Sequence, residues 1–580
     1  MYRFICFLAL CLTLSACAST GGAGNLGDML RQANEEARLR SEVRSYSQFA
    51  IAHYASRTDD PVEAANHYAS VLRMFPNDPT LAERAIFSAL MIGDVDRAVA
   101  LAGLVSEETL ENTELVRLTL ALDAVSTGDN NQALEYLQSP WTSIFHRTIA
   151  QSITAWVALD ETPGTAINIQ GIAGQDDTVL SGVALTLAAL MKLNIGEVEA
   201  ASADLEALWQ NDARLAIGVQ AHARILALSG REDEAKVRIR EFREVVGRNP
   251  TLTALSRQID QGVVNPDPQL TTQQGIALAI YAATAALASQ GDSDLPSVYF
   301  ALALDLNPDL DAARTLWADT LDTANRREEA ILLLNQVQPS SIYHTNAQGQ
   351  LAWAYRREGR NDEALAIAQT TLEQTEDRNI RVQLADLLQS LGRDGEAEEV
   401  FTQIIKNDEL RGIYDWRVYY ARGAARERLG EWPLAESDLK TALNLKPNNP
   451  TIMNYLGYGW VDRGIRLDDG LRLIENALRL SPRSGPFTDS LGWAHYKLGN
   501  YDRAIFYLER ATELQPQNPE ILDHLGDTYW QTGRYTEAGY QWQRALAYTS
   551  DSESSEQIQK KLDGGFALLT ASSSRLPDVR

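Results

Sequence analysis

Cysteine is almost missing from this 580-residue chain: Cys6, Cys11 and Cys17 are the only three, all near the start. Everything downstream is therefore barred from disulfides, from Cys-ligated zinc and from a thiol nucleophile. Histidine is scarce and dispersed. The seven residues His53, His67, His146, His222, His344, His495 and His524 form no H-E-x-x-H arrangement, so neither a metal site nor a cofactor is expected. A G-x-S-x-G elbow is missing, and so are the alternating apolar runs that would make strands. Cations are in deficit, with 52 Lys and Arg against 78 Asp and Glu and a formal charge of −26. Such a surface repels phosphate backbones and anionic lipid headgroups, which excludes nucleic acid as a partner and favours basic protein segments. The acid also keeps a long open surface soluble.

What the chain has in abundance is one pattern at a step of 34 residues. From Trp416 to Ser552 it recurs four times. Leu491-Gly492-Trp493, Gly499, Ala504, Leu508, Ala511 and Pro516 make one copy, and Leu525-Gly526-Asp527, Gly533, Ala538, Trp542 and Ala545 make the next, without the Pro. Upstream, Gly457, Gly464, Gly470, Ile474, Ala477 and Pro482 form a copy with one residue inserted after Gly464, and Gly423, Gly430, Ala435, Leu439, Ala442 and Pro447 form another. In each copy a first apolar stripe, such as Leu491, Gly492 and His495, predicts a helix with one face turned to a partner. Gly499 ends that helix, Asp502 is placed to cap the next, and the small residues Ala504 and Ala511 let the two axes approach closely. Stacked antiparallel helix pairs are the expected architecture.

This pattern resembles the tetratricopeptide repeat. The resemblance implies an all-α solenoid, a right-handed superhelix of antiparallel helix pairs, whose first helices line a concave groove. Carried over by position, the groove of the last four copies presents Tyr420, Ala424 and Glu427; Asn454 and Tyr458; Asp489, Trp493 and Tyr496; and Asp523, Asp527 and Trp530. The family's clamp for an acidic peptide terminus has no counterpart, because Asp stands where the clamp carries cations. Tyr496 and Trp530 fall where the family packs aromatics on the following repeat, whereas Tyr458 and Trp493 fall in a variable slot where packing and binding stay equally open. Aromatic faces flanked by carboxylates suit a basic or aromatic-containing peptide, and also a sugar ring. Asp523 and Asp527 lie one turn apart and have the chemistry for general acid–base work. In so acidic a chain that spacing arises by chance, and no enzyme activity is expected.

The start of the chain reads differently. One cation at Arg3, the apolar stretch Phe4 to Leu14 and small residues at Leu14-Ser15-Ala16-Cys17 make a secretory signal, too short to span a bilayer. Those last four residues resemble the lipobox of bacterial lipoproteins, which implies cleavage before Cys17 and acylation of it as a membrane anchor. Ala18 at the next position implies passage to the outer membrane.

The expected organisation is a signal over 1–16 and a tether over 17–40. Degenerate repeats follow over 41–248, with a short or distorted pair between Ser139 and Gly182. An irregular, Pro-punctuated connection over 249–274 leads to middle repeats over 275–415. Four well-formed repeats over 416–552 and a capping helix with a disordered tail over 553–580 complete the chain. The functional expectation is a lipid-anchored adaptor at the outer membrane, facing the periplasm, that binds protein or peptide partners in cell-wall, pilus or export machinery. The alternative is a glycan-binding component of peptidoglycan or exopolysaccharide machinery, and a glycan-cleaving enzyme stands third.

Overall fold

A computed structural model describes residues 26–573, apart from 59, 162–177, 212–213, 248, 289–293, 376 and 551. Cys17 and the expected signal lie outside the described residues. Every regular element among those described is an α-helix, and none is long and apolar enough to cross a membrane. The chain divides into two compact units, Met1–Gln350 and Leu351–Arg580.

The second unit realises the periodic pattern closely. Its helix pairs include Trp416–Arg428 with Trp432–Leu445, Pro450–Asp462 with Leu467–Leu480, Gly485–Lys497 with Tyr501–Leu514, and Pro519–Gln531 with Tyr535–Tyr548. Between the helices of each pair stands a glycine at positive φ, for example Gly499 at 76° and Gly533 at 79°, a conformation an L side chain resists. Asp502 does not cap: Asn500 is the N-cap, and Asp502 sits in the first turn, where the helix dipole favours its charge. The paired axes meet at small residues. An alanine Cβ at Gly457 would lie 2.9 Å from the Gly470 carbonyl oxygen, and one at Gly470 would lie 2.8 Å from the carbonyl of Gly457. Backbone faces backbone there, so neither side has a flexible group to move aside.

The first unit departs from a simple array. One apolar core runs through buried residues from Ala52 to Met191, then resumes at Ile276 and continues to Leu306. The intervening helices Val198–Gln210, Ala216–Leu228, Glu232–Val245 and Pro250–Gln261 build separate clusters around Leu205 and Trp209. The chain leaves at Asn194 and returns at Leu270, and those two residues are tied together. The Leu270 N–H donates to Asn194 Oδ1 at 2.7 Å, and Asn194 Nδ2 donates to the Leu270 carbonyl at 3.2 Å. Beyond this neck, helix Thr272–Ala288 packs on Ile144–Glu161 with Gly275 against the Trp156 ring, and helix Asp294–Leu306 packs on Pro79–Met91. Tyr299 Oη meets His146 Nε2 at 2.5 Å, and His146 Nδ1 meets Glu114 at 2.7 Å. Tyr299 is only 2% exposed, while His146 and Glu114 are partly buried, so this carboxylate–imidazole–phenol chain ties helix Asp294–Leu306 to the helices near it.

Three expected boundaries are corrected. The stretch expected to be irregular over 249–274 is helical from Pro250 to Gln261, because Asn249 is an N-cap, its side chain accepting from Leu252 N, and Pro250 occupies the first helical position. Asn-Pro opens a helix here instead of breaking one. The tether expected over 17–40 is helical from Leu26, in the helix Leu26–Ala55. The tail is helical through Ser572 and Ser573, in the helix Ser552–Ser573. The distorted pair expected between Ser139 and Gly182 falls partly on residues outside those described.

Gly457→Ala is expected to destabilise the fold by about 1–3 kcal/mol through overpacking against the Gly470 backbone. A urea titration of the full chain followed by far-ultraviolet circular dichroism checks this, with Gly539→Ala, whose added Cβ meets nothing, as the neutral control.

Candidate binding groove

The turn glycines provide a register. Six residues before Gly359, Gly392, Gly430, Gly464, Gly499 and Gly533 stand Trp353, Asp386, Ala424, Tyr458, Trp493 and Asp527. The equivalent helices Pro450–Asp462, Gly485–Lys497 and Pro519–Gln531 touch in succession, which brings Tyr458 Oη to Glu520 Oε1 at 3.4 Å across two repeats. Burial, with the charges of Glu520, Asp462 and Asp489 around it, holds the Tyr458 phenol above its ordinary range. Asn454 beside it keeps a buried Oδ1 with no hydrogen-bond partner among the described residues.

The other expected groove residues are brought together, but largely to satisfy one another. Asp489 is buried and accepts from His524 Nδ1 with both oxygens at 3.0 Å. Burial alone would drive the His524 pKa down. The charge and hydrogen bonds of Asp489, helped by Glu520 and Asp523, outweigh that and push it up to about 9. Trp493 is only 8% exposed. Its ring is stacked between Tyr496, 4.6 Å away, and His524, 4.1 Å away, and its Nε1 donates to Asp462 at 3.3 Å. For Trp493, where packing and binding were equally open, the ring is taken up in packing, stacked on Tyr496 of its own helix and on His524 of the first helix of the next repeat. Trp530 packs between Tyr535 and Trp542, and Tyr420 against Tyr455. Ala424 is buried, and Glu427 accepts from Arg463 at 2.7 Å.

The last carboxylates meet a cation that the sequence pattern did not reveal. Lys561, on the C-terminal helix Ser552–Ser573, places its Nζ 2.7 Å from Asp523 and 2.8 Å from Asp527, while Trp542 Nε1 donates to Asp527 at 3.1 Å. Ile558 and Leu562 of the same helix are buried beside them. The pair that had the spacing for general acid–base chemistry is thus held in a structural ion cluster. Among the described residues no cluster of three or more His, Cys, Asp or Glu side chains is arranged to hold a metal ion.

Besides Asn454, unsatisfied groups stand in an earlier copy, on helix Arg378–Ser390. Asn379 Oδ1 and Gln383 Oε1 are buried with no hydrogen-bond partner, and Asp386 has neither ion pair nor hydrogen bond among the described residues. Burial pushes the Asp386 carboxyl up to about 6. Buried acceptors left without a donor cost about 1–3 kcal/mol each. Sequence reasoning missed these residues because the step from Gly392 to Gly430 is longer than the regular period, so the copy was not aligned with the last four. Counting back from Gly392 was the signal that places Asp386 in the slot of Tyr458 and Trp493.

Family models described as tetratricopeptide repeat match residues 3–143, 349–382, 382–450 and 490–554, together more than half of the chain. The chain belongs to the tetratricopeptide repeat family. A TPR repeat-containing protein of Pseudomonas aeruginosa is 28% identical over 150 residues, which cover 26% of this chain and 25% of that protein. The match therefore spans a quarter of that relative's length. Among solved structures, the APC/C hetero-tetramer Cut9-Hcn1 aligns over 90% of this chain and 96% of its own at 16% identity and a TM-score of 0.38. A tetratricopeptide repeat protein of Parabacteroides merdae aligns over 44% of this chain and 98% of its own, at 16% identity and a TM-score of 0.38. As a member of this family the chain is a protein–protein interaction scaffold.

Two outcomes test the groove. For the His524–Asp489 pair the folded pKa lies above the ordinary value. The stability it contributes is whole below about pH 6.5 and lost as pH rises through about 9. Urea midpoints measured across that range are expected to fall for the native chain and to fall less for His524→Gln. For Asp386 the sign is reversed: an acid raised by burial costs stability as pH climbs from its ordinary value near 3.8 through about 6. Asp386→Asn is expected to stabilise the chain by about 1–2 kcal/mol at neutral pH, read from the same titration, whereas a structural ion-pair role would give a loss.

Proposed function

We propose that this chain is a lipid-anchored scaffold of the bacterial envelope, held at the outer membrane by acyl groups on Cys17 and presenting its repeats to protein partners in the periplasm. The observation that carries the proposal is the joining of two features in one chain: the Leu14-Ser15-Ala16-Cys17 sequence behind an apolar segment, and a tetratricopeptide array whose Asp523 and Asp527 are held by Lys561. Partners with basic segments fit best, given the surplus of carboxylates over the whole chain. Cell-wall, pilus and export machineries are the settings in which such an adaptor works.

The glycan-binding alternative loses ground on one point. A sugar needs an exposed ring to stack on, and Trp493, the best candidate, has both faces covered. A glycan-cleaving role would need Asp523 and Asp527 free of Lys561.

Cys17→Ser is expected to move the protein from the membrane to the soluble periplasmic fraction with unchanged helicity. Membrane partition that survives the substitution would show that something other than acyl chains anchors it. A pull-down of the tagged lipoprotein from detergent-solubilised envelope, expected to recover a few proteins, separates an adaptor from a glycan binder, which would bring down cell-wall or capsular sugar instead.

A further inference from the structure

Helix Leu26–Ala55 is apolar on two faces. Toward the array, Ser45, Ala52 and Ala55 are buried as it packs on helix Pro61–Met74, and the Phe49 ring meets Tyr68 edge-on at 6.1 Å. On the far side, Leu39, Val43, Tyr46, Ala50 and Tyr54 recur at steps of four, three, four and four residues. At about 100° per residue these five fall within about 80° of one another and form one stripe. All are exposed, the four large ones by 50% to 74%. An end helix of a repeat array ordinarily turns a polar face outward, because no further repeat covers it. Here the outward face is apolar, which marks a surface that something covers.

Area, position and charge choose the occupant. The stripe runs about 22 Å along the helix and about 10 Å across it, or about 220 Å². A stable pairing of two copies takes about 800 Å² from each. A bilayer sets no such threshold for a protein already tied to it, since each buried apolar group adds to the hold of the acyl chains. Residues 18–25 are all that separates Leu26 from Cys17, so the start of the helix stays within about 30 Å of the anchor. Arg31, Arg38, Arg40 and Arg44 offset Asp28, Glu35, Glu36 and Glu42, which leaves this helix neutral in a chain of formal charge −26. It therefore escapes the repulsion that anionic headgroups exert on the rest of the surface.

We propose that the stripe from Leu39 to Tyr54 docks on the membrane that holds Cys17, with Leu39 and Val43 at the acyl boundary and the phenols of Tyr46 and Tyr54 among the headgroups. The proposal rests on the anchored-scaffold reading and adds to it the face by which the chain meets lipid. The helix is not apolar enough to cross a bilayer, and it lies along the surface instead. Acyl chains alone would leave the first repeats free to swing. A docked helix fixes their orientation against the membrane.

The test exploits the scarcity of cysteine, since a mature chain acylated at Cys17 has no other thiol. Tyr46→Cys is labelled with the fluorophore NBD in the full lipoprotein, beside Arg44→Cys, a control about 120° away round the same helix. Each is reconstituted into phosphatidylcholine vesicles with and without doxyl-labelled lipid. The Tyr46→Cys probe is expected to emit to the blue and to be quenched by doxyl lipid about twofold more than the Arg44→Cys probe. Equal quenching at both positions would mean mere nearness to the bilayer and would overturn the docking face, as would no quenching at either. A blue shift that doxyl lipid leaves untouched, with dimers seen in light scattering, would put a second copy on the stripe and overturn the lipid as its occupant. Circular dichroism of the labelled variants is expected to match the native chain, and Tyr54→Cys replaces Tyr46→Cys if that variant does not fold. Intact mass of the mature protein reads the acylation of Cys17 separately. An unmodified Cys17 overturns the anchor reading, and the same probes in the Cys17→Ser chain then decide the stripe: quenching by vesicles supports it and no quenching overturns it.

Discussion

The close approach of paired helices at residues with little or no side chain is the constraint on which the second unit depends. Gly457 and Gly470 face each other backbone to backbone, and Gly492 lies so close to Leu508 that an added Cβ would sit 2.6 Å from its Cγ. Two helices held that near have little freedom of tilt, so the next pair can stack in one register and the first helices of successive repeats come into contact. The contact between Tyr458 and Glu520, two repeats apart, is a consequence of that tight stacking.

Once the first helices are pressed together, the polar groups on their inner faces have to find partners, since buried charge and unpaired amides are costly. In the last repeats most of them find partners within the array, Asn454 Oδ1 being an exception. Asp489 takes His524, Trp493 is sandwiched between rings, and the C-terminal helix brings Lys561 to Asp523 and Asp527. On helix Arg378–Ser390 they do not. Buried groups without a partner therefore recur in several copies, at Gln350, Asn379, Gln383 and Asn454.

Within the first unit, a different economy operates. The core continues from Met191 to Ile276 as though the residues between were absent, and the Asn194–Leu270 hydrogen bonds close the neck of the excursion. Repeats beyond the neck then return to helices near the start of the chain, with Arg326 donating to the Met91 carbonyl at 3.0 Å across 235 residues. A one-dimensional array has contacts only between neighbours. This unit adds long-range contacts that a period cannot announce.

The repeat was legible because it is local. A turn glycine at positive φ, small residues at a helix contact and apolar faces at helical spacing are each dictated by a few consecutive residues, so Gly499, Ala504 and Leu508 could be read directly, as could the family. Register within a copy was equally local, and it placed Tyr458, Asp489, Trp493 and Asp527 on first helices correctly. What the sequence could not supply was which of those side chains would be satisfied. That depends on Lys561 arriving from a helix 34 residues beyond Asp527 and on His524 from the repeat after Asp489. The helices between Asn194 and Leu270 were read as repeats up to residue 248, but their separation from the main core and the neck that closes them escaped for the same reason. Asn249-Pro250 carries one local meaning as a break and another as a helix start, and only packing chooses between them. Local chemistry therefore determined the helices, their pairing and the family. Tertiary structure decided which groups are left open, because satisfaction of a buried polar group is a property of everything that surrounds it.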